Sequence, residues 1–125
     1  MAVLLVRVII MDITIHHNPH CSNSRGALAA IRDAGFEPRI VEYLTAPPSR
    51  EELARMLAAA GMRARDAIRS KESLYSELGL DAPGLTDEAL VDAMLAHPVL
   101  MNRPFVVTPK GVRLCRPPET VREIL

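Results

Sequence analysis

The sequence has no tryptophan, two tyrosines, two phenylalanines and two cysteines in 125 residues, and its 15 basic and 15 acidic residues cancel. Each shortage excludes something. A dedicated nucleic-acid binder needs a basic face and stacking rings, and neither is supplied. Cys21 and Cys115 are too few to staple a secreted disulfide scaffold, and they fit a reducing, cytoplasmic setting instead. No apolar run approaches the roughly 18–20 residues that span a bilayer. Neither nucleic acid nor membrane is therefore an expected partner. The four histidines and two cysteines also lack metal-ligand spacing, because His16-His17 and His20-Cys21 are adjacent pairs without downstream partners. No metal site is expected.

What is present is a packed composition, 49% hydrophobic, over a length suited to one domain. The first ten residues, Met1 to Ile10, superficially resemble a signal peptide. Arg7 sits inside the apolar run rather than before it, however, and no small-residue cleavage site follows. Two readings stay open. Residues 1–10 are an upstream extension from a mis-assigned start, with Met11 the natural one, or they lengthen the first strand. Val3 to Ile15 is β-branched and apolar and reads as that strand. His17-Asn18-Pro19-His20 breaks it as a loop. A helix follows from Cys21 or Ser22 to about Ala34, with Ala27, Ala30, Ile31 and Ala34 as its apolar stripe and Gly35 as its stop. Pro38 to Tyr43 reads as a second strand, and such a β-α-β crossover implies parallel strands.

Beyond Pro47-Pro48, Ser49 and Glu52 form a capping box for a helix whose inward face is Leu53, Met56, Leu57 and Ala60. Shorter helical pieces cover Arg63–Arg69 and Glu72–Leu78. Thr86 caps another helix, with Leu90, Val91, Met94 and Leu95 inward. Phe105-Val106-Val107 and Val112–Cys115 pair as a hairpin across Thr108-Pro109-Lys110-Gly111. Pro117-Pro118-Glu119 opens a last short helix. The order predicts an α/β fold, a thioredoxin-like (glutaredoxin-like) sheet. It runs β-α-β, a helical insertion over about residues 46–100, then β-β-α, in a single domain over 12–125.

Cys21 stands where a loop becomes a helix. There a thiol meets the partial positive charge of the helix N-terminus and unpaired backbone N–H groups, which favour thiolate. The N–H groups of Ser22, Asn23 and Ser24 offer the same place to an oxyanion. The Ser24 hydroxyl is expected to donate to the sulfur, and Arg25 to add a cation or to cap polar surface. The alternative is a buried, inert cysteine, against which the polar neighbours His20, Ser22, Asn23 and Ser24 argue. Ser24 also stands at the second position of a would-be Cys-x-x-Cys motif, so a dithiol cycle inside this motif is impossible. Resolution of Cys21 falls to an external thiol or to the distant Cys115.

The stretch from His17 to Arg25, His-Asn-Pro-His-Cys-Ser-Asn-Ser-Arg, resembles the H-N-P-x-C-x-x-S-R loop of the glutaredoxin-dependent arsenate reductase family. The likeness continues through Tyr43-Leu44, Pro47 to Arg50, Arg69, His97-Pro98, Asn102-Arg103-Pro104 and Val107 to Pro117, over about residues 12–125. Ser22-Asn23 stands where plasmid-type members carry Gly-Thr, and the sequence stops short of their longer tail. The resemblance is thus closest to the shorter chromosomal members. It implies that Cys21 attacks arsenate to form a covalent thiolate–arsenate adduct. Glutathione, a co-substrate rather than a bound cofactor, then attacks the adduct, glutaredoxin removes the glutathione, and arsenite leaves. It also implies that Arg69, Arg103 and Arg116 surround the oxyanion, that His17 assists or orients the loop, and that Pro104 is cis. Guanidinium groups suit such an anion because they bind its oxygens bidentately. With 13 arginines against two lysines, each one taken singly can also be surface decoration. Cys115 is expected to be packed rather than catalytic. Two other functions compete: a redox regulator like the Spx branch of the same fold, whose usual Cys-x-x-Cys switch is missing, and a general glutathione-dependent thiol oxidoreductase.

Overall fold

The computed structural model describes residues 11–125. Both readings of residues 1–10, and the part of the expected first strand before Met11, lie outside the described residues. Strand β1 (Thr14–His17) leads into helix α1 (Ser22–Asp33) and strand β2 (Arg39–Glu42). Helices α2 (Arg50–Ala60), α3 (Ala64–Ala67), α4 (Ser73–Glu77) and α5 (Asp87–Ala96) follow. A short 3-10 turn (Pro98–Leu100) then precedes the hairpin of β3 (Phe105–Thr108) and β4 (Gly111–Leu114), and a 3-10 segment (Pro118–Ile124) closes the order. The sheet runs β2-β1-β3-β4, with β1 parallel to β2 and both other pairings antiparallel. This is the thioredoxin-like α/β arrangement that the order of elements predicts.

Strand side chains alternate between faces, and the alternation here sorts the core into two halves. Ile13, Ile15, Val106 and Cys115 face α1 and the closing 3-10 segment, where they meet Ala27, Ile31, Val121 and Ile124. Phe105 and Val112 face the other way, into the larger cluster with Leu53 and Met56 of α2 and with Leu90 and Met94 of α5. His17 falls on the α1 side and His16 on the α2 side by the same parity. β1 runs to His17, two residues beyond the predicted strand end, because His16 and His17 pair with Val41 and Glu42 and are themselves buried.

Helix ends follow the local chemistry. Gly35 (φ 91°) and Gly61 (φ 68°) take up the left-handed conformation after α1 and at the end of α2. The following N–H groups, of Phe36 and Met62, reach back to the carbonyls of Ile31 and Leu57 at 3.2 and 2.9 Å. Ser49 Oγ accepts from Glu52 N–H at 3.1 Å and Thr86 Oγ1 from Ala89 N–H at 3.1 Å. Only the serine half of the expected capping box is formed, since the Glu52 side chain makes no return bond among the described residues. The stripe on α1 is Ser24, Ala27 and Ile31; Ala34 is exposed because it ends the helix instead of facing the sheet. Gly26 matters for a different reason. A Cβ there would lie 3.0 Å from Pro118 Cγ, so its absence lets the Arg116–Pro118 segment lie against the start of α1.

Candidate active site

The loop between β1 and α1 presents Cys21 at the N-cap of α1 with extended backbone (φ −98°, ψ 123°). Its own N–H donates to Asn18 O at 3.0 Å, and the Asn18 side chain accepts from His20 N–H at 3.0 Å. Arg25 Nη1 donates to Pro19 O at 2.9 Å, so that guanidinium braces the loop. Ser24 is fully buried, and its hydroxyl does not serve the sulfur as expected. Ser24 Oγ accepts from Asn18 N–H at 3.0 Å and lies 2.6 Å from His17 Nδ1. Burial holds the His17 imidazole below the usual histidine range, and its Nδ1 shares a hydrogen bond with the serine hydroxyl. Position 24 lies on the inward face of α1, and its hydroxyl is taken up there by the buried His17 and Asn18. His17 therefore orients the loop through Ser24.

Burial pushes the Cys21 thiol up, but the backbone N–H groups of Ser24 and Asn23 and the Arg103 guanidinium outweigh it and bring the pKa from 9.0 to about 7. The backbone N–H of Ser22 makes no such contribution. Arg116 Nη1 stands 3.9 Å from Cys21 Sγ and donates to Arg103 O at 3.0 Å. The Asn23 amide, with its oxygen toward this guanidinium, accepts from Arg116 Nη1 and Nη2 at 3.1 and 3.2 Å. Asn23 thus positions an arginine with its side chain, a role its sequence context did not suggest.

Arg69 arrives by another route. Ile68 and Met101 form an antiparallel bridge, flanked by Arg69 N–H to Leu100 O at 2.7 Å and Asn102 N–H to Ala67 O at 2.8 Å. This pairing stitches the end of α3 to the segment before β3. Asn102 Oδ1 then accepts from Arg69 Nη1 at 3.3 Å and from Arg103 N–H at 3.1 Å, linking the two arginines. Burial and the nearby Arg103 and Arg116 hold Arg69 below the usual guanidinium range. In the sequence Asn102 carries no signal of its own beyond its place beside Arg103 in Asn102-Arg103-Pro104. The peptide bond before Pro104 is cis, as the resemblance implied, and so is the one before Pro117.

Ile68, Arg69, Ser70, Lys71, Asn102 and Arg116 line a cavity of about 260 Å³ beside these groups. Arg69 Nε and Arg103 Nε are buried without a hydrogen-bond partner among the described residues, although Glu72 Oε2 lies 3.7 Å from the first. Crowded cations with unfilled donors suit a multiply charged oxyanion. Cys115, by contrast, is fully buried in the α1-side core, and burial pushes its thiol up to about 12. Its sulfur lies 3.6 Å from Arg113 O. Among the described residues no cluster of three or more histidine, cysteine or acidic side chains could hold a metal, and no helix is long and apolar enough to cross a membrane.

Fold and site together define a thioredoxin-like protein with one activated cysteine beside three crowded arginines. A family model described as the ArsC family matches residues 16–124, and the chain belongs to that family. It is 60% identical over 115 residues to an arsenate reductase of Rhizobium meliloti (strain 1021), covering 92% of this chain and 82% of that one. It is 52% identical over 114 residues to an arsenate reductase of Escherichia coli (strain K12), covering 91% and 81%. The solved structure of an arsenate reductase from Vibrio cholerae superposes with a TM-score of 0.89 at 45% identity, covering 93% of this chain and 99% of that one.

Proposed function

We propose that this protein is an arsenate reductase in which Cys21 is the nucleophile, Arg69, Arg103 and Arg116 hold the oxyanion, and glutathione with glutaredoxin completes the cycle. The observation that carries the reading is the Cys21 thiol, lowered to about 7, beside Arg103 and 3.9 Å from Arg116. At neutral pH about half of it is thiolate, against roughly one part in a hundred for a thiol of pKa 9.

The thiolate attacks arsenic, an S–As bond forms, and one arsenate oxygen leaves as water after taking up protons. The guanidiniums neutralise the oxygens on which charge collects, and Ser24, Asn23 and the helix N-terminus stabilise the sulfur before attack. Glutathione then attacks the arsenic, a second S–As bond forms, and a second oxygen leaves as water. A glutaredoxin thiol takes the glutathione sulfur, the bonding pair passes to arsenic, and arsenic(V) becomes arsenic(III). Water releases arsenite and returns Cys21 to its thiol. Two thiols thus supply the two electrons; two waters leave and one enters, so the net loss is one oxygen. With Ser24 in place of a second motif cysteine, and Cys115 buried, the resolving thiols come from outside.

The test is NADPH consumption coupled through glutathione reductase, with glutathione and glutaredoxin present, for the wild type and Cys21→Ser. Turnover that requires arsenate and is lost in the variant is expected. Equal turnover of a small glutathione mixed disulfide without arsenate would instead favour a general thiol oxidoreductase.

A further inference from the structure

Among the described residues, helix α2 leaves part of the sheet face opposite α1 open. Helix α2 packs chiefly against β4, and between it and the β2–β1 side lies a cavity of about 360 Å³. Its floor is one row across all four strands. Arg39 pairs with Thr14, Thr14 with Val107, and Val107 with Val112. Glu52, Met56 and Ala59, spaced by four and three residues on α2, form the wall together with Arg55. His16, two residues along β1 from Thr14, lines the same cavity; it is 5% exposed, and its Nδ1 has no hydrogen-bond partner among the described residues.

We propose that this cavity is a second ligand site, separate from the Cys21 site, that takes a small molecule with an apolar or aromatic body and one carboxylate. Val107, Val112, Met56 and Ala59 supply an apolar bed for the body. Arg39 and Arg55 supply two cations against the single acid Glu52, and the side chains of both arginines are free of ion pairs and hydrogen bonds among the described residues. Thr14 and His16 add hydrogen-bonding groups between bed and rim. A volume near the lower end of the roughly 300–1,000 Å³ of small-molecule sites suits a ligand of one ring. A polyanion suits it poorly, because half of the lining is apolar and one rim group is a carboxylate. The two sites are also on opposite sides of the sheet. Thr14 and His16 face α2, whereas His17, which holds the Cys21 loop through Ser24, faces α1.

The test is a titration of the full ¹⁵N-labelled chain, followed by amide shifts, with benzoate, its neutral analogue benzamide, and inorganic phosphate. Benzoate is expected to move Thr14, His16, Ala59 and Val112 saturably, and benzamide to bind about tenfold more weakly because it forgoes the charged contacts. The double variant Arg39→Gln/Arg55→Gln should lose about the same factor for benzoate. Its spectrum should otherwise be unchanged, which shows that it is folded. Phosphate should leave this face unmoved. Shifts from benzoate confined to Asn23, Ser24 and Asn102, equal binding of benzoate and benzamide, or no saturation would each overturn the proposal.

Discussion

Replacing Arg103 with methionine keeps an unbranched side chain of similar reach and removes the charge next to Cys21. The fall of the Cys21 pKa from 9.0 to about 7 corresponds to about 2.7 kcal/mol of preferential stabilisation of the thiolate. Arg103 contributes to it both as a hydrogen-bond donor and as a charge, alongside the amides of Ser24 and Asn23. Its removal should raise the pKa by roughly one unit, the low end for losing an adjacent opposite charge. At pH 7 the thiolate fraction then falls from about a half to about a tenth. The more basic thiolate is also intrinsically more nucleophilic, by about threefold per unit at a Brønsted slope of ~0.45. The two effects oppose each other, and their balance depends on pH. With a neutral dipyridyl disulfide as probe, the variant should react about twofold slower than wild type at pH 7 and about threefold faster above pH 9. The sign follows from the thiol being an acid with a depressed pKa: its reactive form appears as pH rises through about 7 in the wild type. Arg103→Lys, which keeps a charge, should lie between the two. Superimposable pH profiles for wild type and Arg103→Met would refute the assignment of Arg103 to the sulfur.

Three other changes separate the parts of the site. Ser24→Ala leaves His17 Nδ1 and Asn18 N–H without their partner, so urea unfolding should show a loss of about 2 kcal/mol. The apparent pKa of Cys21 should stay near that of wild type, because the serine acts on the sulfur through its backbone N–H; a raised pKa with unchanged stability would contradict this geometry. Gly26→Leu forces Pro118 away from α1, since even a Cβ would lie 3.0 Å from its ring. Steady-state kinetics should show KM for arsenate rising as Arg116 is displaced, and an unchanged KM would mean that Arg116 does not depend on this approach. Cys115, with its thiol at about 12 and no exposure, should resist alkylation in the native protein from pH 6 to 9 while Cys21 is consumed. Mass spectrometry of the labelled peptides reads both at once.

The parts of the fold legible in the sequence were those with local causes. β-Branched runs, Gly35 after α1, and Ser49 and Thr86 at helix starts mark their elements without reference to the rest of the chain. Cys21 at the head of α1 was legible for the same reason. Less was visible where a side chain's role depends on a distant partner. The Ser24 hydroxyl could not be assigned from its neighbours alone, because the buried His17 seven residues earlier decides where it points. The link from Arg69 to Arg103 runs through Asn102, thirty-three residues from Arg69, by way of a single bridge that leaves no periodic trace. The Asn23 side chain on Arg116 spans the whole length from α1 to the end of the hairpin. The arginines themselves came from resemblance, since 13 in one chain give no preference to any three.

The central claim, that Cys21 reduces arsenate with thiols supplied from outside the chain, is tested most directly by counting the arsenite formed. Wild type, Cys21→Ser and Cys115→Ser would be given arsenate, glutathione and glutaredoxin, and the arsenic species separated and quantified by mass spectrometry. Arsenite from wild type and Cys115→Ser, with none above background from Cys21→Ser, is the predicted result. Arsenite formed by Cys21→Ser at the wild-type rate, or its loss in Cys115→Ser while that variant remains folded, would contradict the account.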